Sequence, residues 1–167
     1  CHQPQFYQTQ PKRVSDVKIT LMKLLLASYI GDPKSISKLQ EYIGGFTGKS
    51  IAYIPTAANG ENPFNDCQTN SSTWNLVKTL EAQVTAVQLE DYKNASVIDK
   101  LKHKDILWFA GGTCGYLMYW IRRCELDKAL PQLLQTSLYV GSSAGSMITS
   151  PTLNVAVWYE EPGASCI

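Results

Sequence analysis

Apolar runs and helix-period patterns alternate along the chain from Met22 onward. Strand-like runs at Met22 to Ser28, Ser50 to Ala57, Val84 to Leu89, Asp105 to Ala110 and Ser137 to Val140 are separated by helix-like segments. These helices are expected at Pro33 to Tyr42, Ser71 to Ala82, Ala95 to Lys102, Tyr116 to Arg123 and Leu126 to Gln135. Continuous apolar strands alternating with helices bury both faces of a sheet, which predicts an α/β fold in three layers, a mainly parallel sheet with helices on both faces. Local signals agree with that reading. Asp32-Pro33 places an N-cap ahead of a proline suited to the first helical turn, and Gly44-Gly45 punctuates the other end of the same helix. Leu117, Ile121 and Cys124 recur at helical spacing and form an expected core stripe. The polar loop from Ala58 to Asn70 reads as an irregular surface loop or a lid.

Organisation follows from the same pattern. Residues 1–20, opening CHQPQFYQTQ, are polar and rich in Gln and Pro, and read as an extension or tail; residues 21–167 read as one domain, whose first strand begins at a methionine. With 167 residues, 44% hydrophobic and 17% charged, the chain is long enough for one core burying roughly two-thirds of its unfolded surface. Fifteen Lys and Arg against 14 Asp and Glu give a formal charge of +1, so no electrostatic footprint points to nucleic acid or an anionic membrane. The longest apolar stretches fall well short of the ~20 residues of a membrane span, and without an apolar secretory core near the start the expected compartment is cytoplasmic. Cys1, Cys67, Cys114, Cys124 and Cys166 are scattered without a CxxC pair, so no metal and no cofactor is expected. The Asn70 and Asn94 sequons read as ordinary surface residues.

The chemistry concentrates in LYVGSSAGSMIT, residues 138 to 149. An apolar strand running into Gly141-Ser-Ser-Ala-Gly145 and a helix-compatible segment has the arrangement of a nucleophile elbow, in which glycines permit a tight turn that lifts the Ser143 hydroxyl above the sheet. The following N–H, that of Ala144, faces a developing oxyanion. A second glycine loop, Gly111-Gly112 in WFAGGTCGYL, ends another predicted strand and offers a close backbone approach. Ligands in open parallel sheets collect beyond the carboxyl ends of the strands, where both loops fall. The competing readings of these loops are a plain turn and an anion cradle; the cradle reading lacks a P-loop Lys-Ser/Thr ending and the GxGxxG spacing. Cys114 reads either as a reactive thiol at a helix start or as a buried inert one.

GSSAGS after a strand, FAGGTCGYLMYWIRR upstream, YIPTA at the second strand and MKLLLAS at the first together resemble the aspartyl dipeptidase (peptidase E) family of serine peptidases, related to cyanophycinase. The likeness spans most of residues 22 to 162. It implies a fold similar to the class I glutamine amidotransferase domain and hydrolysis of small peptides next to an aspartyl residue. It implies Ser143 as nucleophile and Ala144, Gly111 and Gly112 around the oxyanion. The family's glycine loop usually continues with Asn or Asp, Thr and an aromatic residue; here it continues Thr113, Cys114, Gly115.

The base is the larger departure. A serine hydroxyl needs a neighbouring base to become a strong nucleophile, and the resembling enzymes supply a histidine downstream of the serine. No histidine follows Ser143; His103 precedes a predicted strand and so belongs at the opposite sheet edge, and His2 lies in the N-terminal tail. Glu160 and Glu161 fall near the family's acidic triad member, and read otherwise as a solvated turn before Pro162. Arg122 and Arg123 are candidates for a substrate carboxylate, or plain surface charges. Two readings therefore stand: a serine-type dipeptidase acting on small aspartyl peptides, or a family member without catalysis that serves as a binding module. A chain that stops short of the family's full sheet is expected to expose an edge or an apolar face, and hence to form a homodimer or larger assembly.

Overall fold

The computed structural model describes residues 22–61 and 72–153, and within them the alternating pattern becomes β1 (Lys23–Ala27), α1 (Pro33–Ile43), β2 (Ser50–Ile54), α2 (Thr56–Asn59), α3 (Ser72–Val77) and β3 (Gln83–Ala86). A 3₁₀ turn (Leu89–Asp91), α4 (Val97–Leu101), β4 (Ile106–Phe109), α5 (Cys114–Arg123), α6 (Leu126–Leu133), β5 (Leu138–Ser142) and α7 (Ala144–Met147) complete the order. The five described strands form one sheet in the order β1-β5-β4-β2-β3, every pairing parallel. The residues assigned to an N-terminal tail lie outside the described ones.

Period-two alternation sends side chains to two cores. Ile51, Tyr53, Trp108 and Val140 face α1 and α3, meeting Ile36, Leu39 and Val77. Ala52, Ile54, Leu107, Phe109 and Tyr139 face the other way, meeting Leu101 of α4, Leu117 and Ile121 of α5 and Leu126 of α6. The strands β2, β4 and β5 are buried on both faces, which is why their sequence reads as unbroken apolar runs. Each fully buried side chain of this size contributes roughly 1.5–3 kcal/mol. Leu117, Ile121 and Cys124 are buried together as their spacing predicts.

Helix α1 starts and stops where its signals lie. Asp32 Oδ1 accepts the N–H groups of Lys34 and Ser35 at 3.0 and 3.1 Å, a cap worth ~1 kcal/mol. Gly44 ends the helix at φ 72°, its successor's N–H closing on the Gln40 carbonyl.

The strand expected through Ala57 instead stops at Ile54. Pro55 cannot donate to a ladder, and Thr56 begins a helical turn. Thr56 Oγ1 accepts the N–H of Leu89 at 3.0 Å, drawing the chain after β3 out of the sheet and into the 3₁₀ turn, so that the strand ends at Ala86, three residues before its predicted end at Leu89. Helix α3 is shorter than its expected span to Ala82. Thr79 Oγ1 takes the Leu76 carbonyl at 2.7 Å and the chain tightens into turns.

Strand β1 lies at a sheet edge. Leu25 and Ala27 pack with the core that α1 covers, while Leu24 and Leu26 stay 42% and 47% exposed on the opposite face. Among the described residues no helix is long and apolar enough to cross a membrane.

Candidate active site

The carboxyl ends of β1, β2, β4 and β5 converge on one edge of the sheet, and Ser143 sits there. Its backbone has φ 48° and ψ −111°, outside the regions an L-residue ordinarily occupies. The elbow is held from several sides. The Ser143 N–H donates to the Ala27 carbonyl at 2.9 Å, and its own carbonyl accepts from Ser146 and Met147 as α7 begins. Ser146 Oγ accepts the Ala27 N–H at 3.0 Å and lies 2.8 and 2.7 Å from the Ala27 and Gly141 carbonyls, joining β1 to the turn. Ser142, the inward neighbour, is buried and its Oγ accepts the Ile30 N–H. The three serines of the loop thus divide between structure and exposure, and Ser143 is the exposed one.

Both motif glycines are required by contact. A Cβ on Gly145 would lie 2.3 Å from the Phe109 carbonyl oxygen, and one on Gly141 would lie 2.6 Å from that of Gly145. Helix α7 approaches β4 and β5 more closely than any side chain allows. Tyr139, stacked on Phe109 with centroids 4.8 Å apart, donates its hydroxyl to the Gly145 carbonyl, and burial pushes its phenol well above the usual range. That anchor stays protonated and keeps donating.

The second glycine loop faces the elbow. Ala110 donates to Ile54 at 3.0 Å and Thr113 to Ala57 at 2.9 Å; between them the amides of Gly111 and Gly112 donate to no acceptor among the described residues. Gly111 is turned toward the serine, so that a Cβ there would sit 3.2 Å from Ser143 Cβ and 3.8 Å from its Oγ. Gly112, at φ 136°, lies against the Ala57 carbonyl, which a Cβ would meet at 2.1 Å. The loops after β2 and β4 are thereby locked together. The N–H of Ala144, first in α7, has no intrahelical acceptor either.

An open cleft of about 840 Å³ is lined by Ala27, Gly112, Thr113, Cys114, Ser143 and Met147, among others. A smaller one of about 320 Å³, lined by Tyr29, Tyr53, Ser72, Gly111 and Ser142, meets it at Ser143. Cys114 is buried at the start of α5, its sulfur 3.9 Å from that of Met147.

The sequence-predicted residues separate cleanly. Ser143, Ala144, Gly111 and Gly112 come together, while Glu160, Glu161 and His2 lie outside the described residues. His103, at φ 61° in the turn between α4 and β4, is at the amino-terminal sheet edge, away from Ser143. Arg122 and Arg123 close α5, about 12 Å of helix rise from Cys114 at the cleft. Glu61, which lines both clefts, was not singled out by its sequence. Its signal was positional: it stands in a loop after a strand's carboxyl end, as the other two loops do.

Residues 24–165 match the model of peptidase family S51. The chain is 27% identical over 138 residues to an uncharacterized peptidase of Pasteurella multocida, covering 80% of this chain and 63% of that protein. It is 26% identical over 114 residues to an uncharacterized peptidase of Listeria monocytogenes, covering 68% and 54%. The chain thus spans less than two thirds of the length of these relatives. Its structure is similar, with TM-score 0.67 and 26% identity over 80% of this chain and 65% of the other, to a crystal structure assigned to peptidase E from Listeria monocytogenes. A peptidase from an acI-B1 actinobacterium shares the fold at TM-score 0.61 and 22% identity, over 76% of this chain and 56% of that one.

Proposed function

The chain belongs to peptidase family S51, and on that premise we propose that it carries the nucleophile and oxyanion site of a serine-type dipeptidase acting on short peptides, aspartyl peptides first among them. One observation carries this reading. Ser143 is held at φ 48° and ψ −111° with its side chain exposed where two clefts meet, a strained conformation that an ordinary turn would not need. In the reaction, Ser143 Oγ attacks the scissile carbonyl. The oxygen that becomes negative is received by the Ala144 N–H and by an amide of the Gly111-Gly112 loop, where preorganised donors are worth ~3 kcal/mol each in the barrier. A base takes the hydroxyl proton and returns it to the departing amine.

A second reading is favoured by one feature of the site. No imidazole lines either cleft among the described residues, and a chain that binds peptide without turning it over would retain the elbow and lose only the chemistry. Hydrolysis of a panel of Asp-X dipeptides, with Ser143→Ala in parallel, separates the two. Turnover that the substitution abolishes supports the nucleophile, and binding without turnover supports the module. The exposed face of Leu24 and Leu26 on β1 supports the further proposal that the chain self-associates; sedimentation as a monomer at all concentrations would overturn it.

A further inference from the structure

The helical turn after β2 is held in place by a side-chain cluster. Helix α2 has four residues, far below the length at which a helix stands alone, and its N-cap, Pro55, supplies no side-chain bond. Much of its hold comes from the chain after β3. Asn59 donates its side-chain N–H groups to Gln88 and Glu90 at 2.8 and 2.9 Å, and Thr56 donates its hydroxyl to the other oxygen of Glu90 at 2.7 Å. The residue after Asn59 is glycine for a reason of packing: a Cβ on Gly60 would lie 2.7 Å from Tyr116 Cβ and 3.0 Å from Thr113 Cβ. The close approach of α2 to α5 thereby produces the one Asn-Gly pair in the sequence. In such a pair no side chain shields the backbone nitrogen that follows the asparagine, and that nitrogen reaches the side-chain carbonyl carbon once the local backbone leaves the helical region. While α2 is formed, Gly60 has φ −66° and ψ −24° and the Asn59 amide is turned to Gln88 and Glu90, so nucleophile and carbonyl are kept out of an attacking geometry.

We propose that Asn59 is a site of spontaneous covalent modification, kept closed by its bonds to Gln88 and Glu90. When the α2 turn opens, the Gly60 nitrogen bonds to Asn59 Cγ, the Cγ–Nδ2 bond breaks, and ammonia leaves with the proton that the nitrogen has lost. Water then opens the five-membered imide at either carbonyl, giving aspartate or isoaspartate at position 59; the step needs no oxidant, reductant or enzyme. The product does not close the turn again. An acid at this position brings a second carboxylate against Glu90 in place of a donor; like charges at hydrogen-bond distance repel, and Gln88 and Glu90 each lose an N–H. Opening α2 frees the Ala57 carbonyl, which accepts the Thr113 N–H at 2.9 Å and against which Gly112 packs. The modification therefore loosens the glycine loop that faces Ser143, whether Ser143 turns a substrate over or only binds one.

Peptide mapping and melting test the two halves. The full chain is incubated at pH 8, folded and in urea, and the fragment holding residues 59 and 60 is followed by chromatography and mass spectrometry, which together resolve asparagine, aspartate and isoaspartate. Conversion in the folded chain is expected to be slower than in urea by about tenfold or more, because it waits on local opening. Glu90→Ala, which removes an acceptor of both Asn59 and Thr56, is expected to raise the folded rate severalfold toward the urea rate. Asn59→Asp is expected to lower the melting midpoint by about 5 °C, and Asn59→Asp/Glu90→Gln, which sets a donor opposite the new carboxylate, to recover most of that loss. No conversion in either condition, equal rates folded and in urea, a Glu90→Ala rate unchanged from the wild-type chain, or Asn59→Asp melting with the wild-type chain would each overturn the proposal. If Glu90→Ala does not fold, the melts of the position-59 variants decide, and a double variant that recovers nothing would overturn the clamp.

Discussion

The two edges of the sheet carry the same kinds of groups in opposite conditions. At the amino-terminal edge, Asp105 accepts both the N–H and the hydroxyl of Ser50 at 2.7 Å, and Ser137 donates to the Lys104 carbonyl at 2.6 Å. The Leu138 N–H donates to the Asp105 carbonyl at 2.8 Å, and the Asp105 N–H to the Ser50 carbonyl at 3.0 Å. At the carboxyl-terminal edge, Ser143 is strained and exposed, the amides of Gly111 and Gly112 lack described acceptors, and Glu61 lacks a described partner. A carboxylate and a serine occur at both edges, so residue type does not distinguish scaffold from site. Satisfaction does: groups with their hydrogen bonds met hold strands together, and groups left open by a rigid surrounding remain available to a substrate.

The contrast breaks most visibly at Ser143. Ser143→Ala is expected to lower dipeptide hydrolysis by at least ~10³-fold while moving stability by less than about 0.5 kcal/mol, because no hydrogen bond of its hydroxyl holds the fold. Ser143→Gly should lose the same activity yet gain ~1 kcal/mol in urea unfolding, since glycine accepts φ 48°, ψ −111° without strain. Equal stability of the two variants would mean that the elbow stores nothing.

Glycines sharpen the comparison next. Gly145→Ala drives a methyl to 2.3 Å from the Phe109 carbonyl, backbone of a central strand that cannot yield, and should cost about 3 kcal/mol in thermal or urea melts. Gly44→Ala, at the other edge, adds a methyl to open space and pays only for its φ of 72°, about 1 kcal/mol. Activity should fall with the first variant and persist with the second.

Much of this arrangement was legible in the sequence, for definite reasons. The buried strands announce themselves because two-sided burial demands apolar runs. The elbow does so because its glycines are fixed by contacts under 3 Å, which leave no other residue possible. The early end of β3 was not legible, because the diversion comes from Thr56, more than 30 residues away in sequence, through one side-chain bond to Leu89. Glu61 was hidden for a related reason. Its loop has neither periodicity nor motif, and its meaning arises from Gly60 packing on Thr113 and Tyr116 in another loop. The strength of a local pattern reports what the backbone requires, and a side chain that merely lines a cleft requires nothing of the backbone.

The smallest expected effect lies at the amino-terminal edge and tests whether satisfaction there is electrostatic. Hydrogen bonds from Ser50 hold the Asp105 carboxyl below its ordinary value near 3.8. A depressed carboxylate stabilises the fold above its unfolded pKa, and that contribution is lost as pH falls through the folded value. Asp105 is exposed, so solvent screening limits the effect and Asp105→Asn should cost less than about 1 kcal/mol at pH 6. The gap between the wild-type chain and the variant in urea unfolding should narrow as pH drops from about 5 to below 3. Asp32 and Asp99, whose carboxyls are also lowered, are present in both proteins and cancel from that difference. A gap that stays constant with pH would show that Asp105 ties β2 to β4 by shape alone, and activity unaltered at neutral pH in either case keeps this edge on the side of the scaffold.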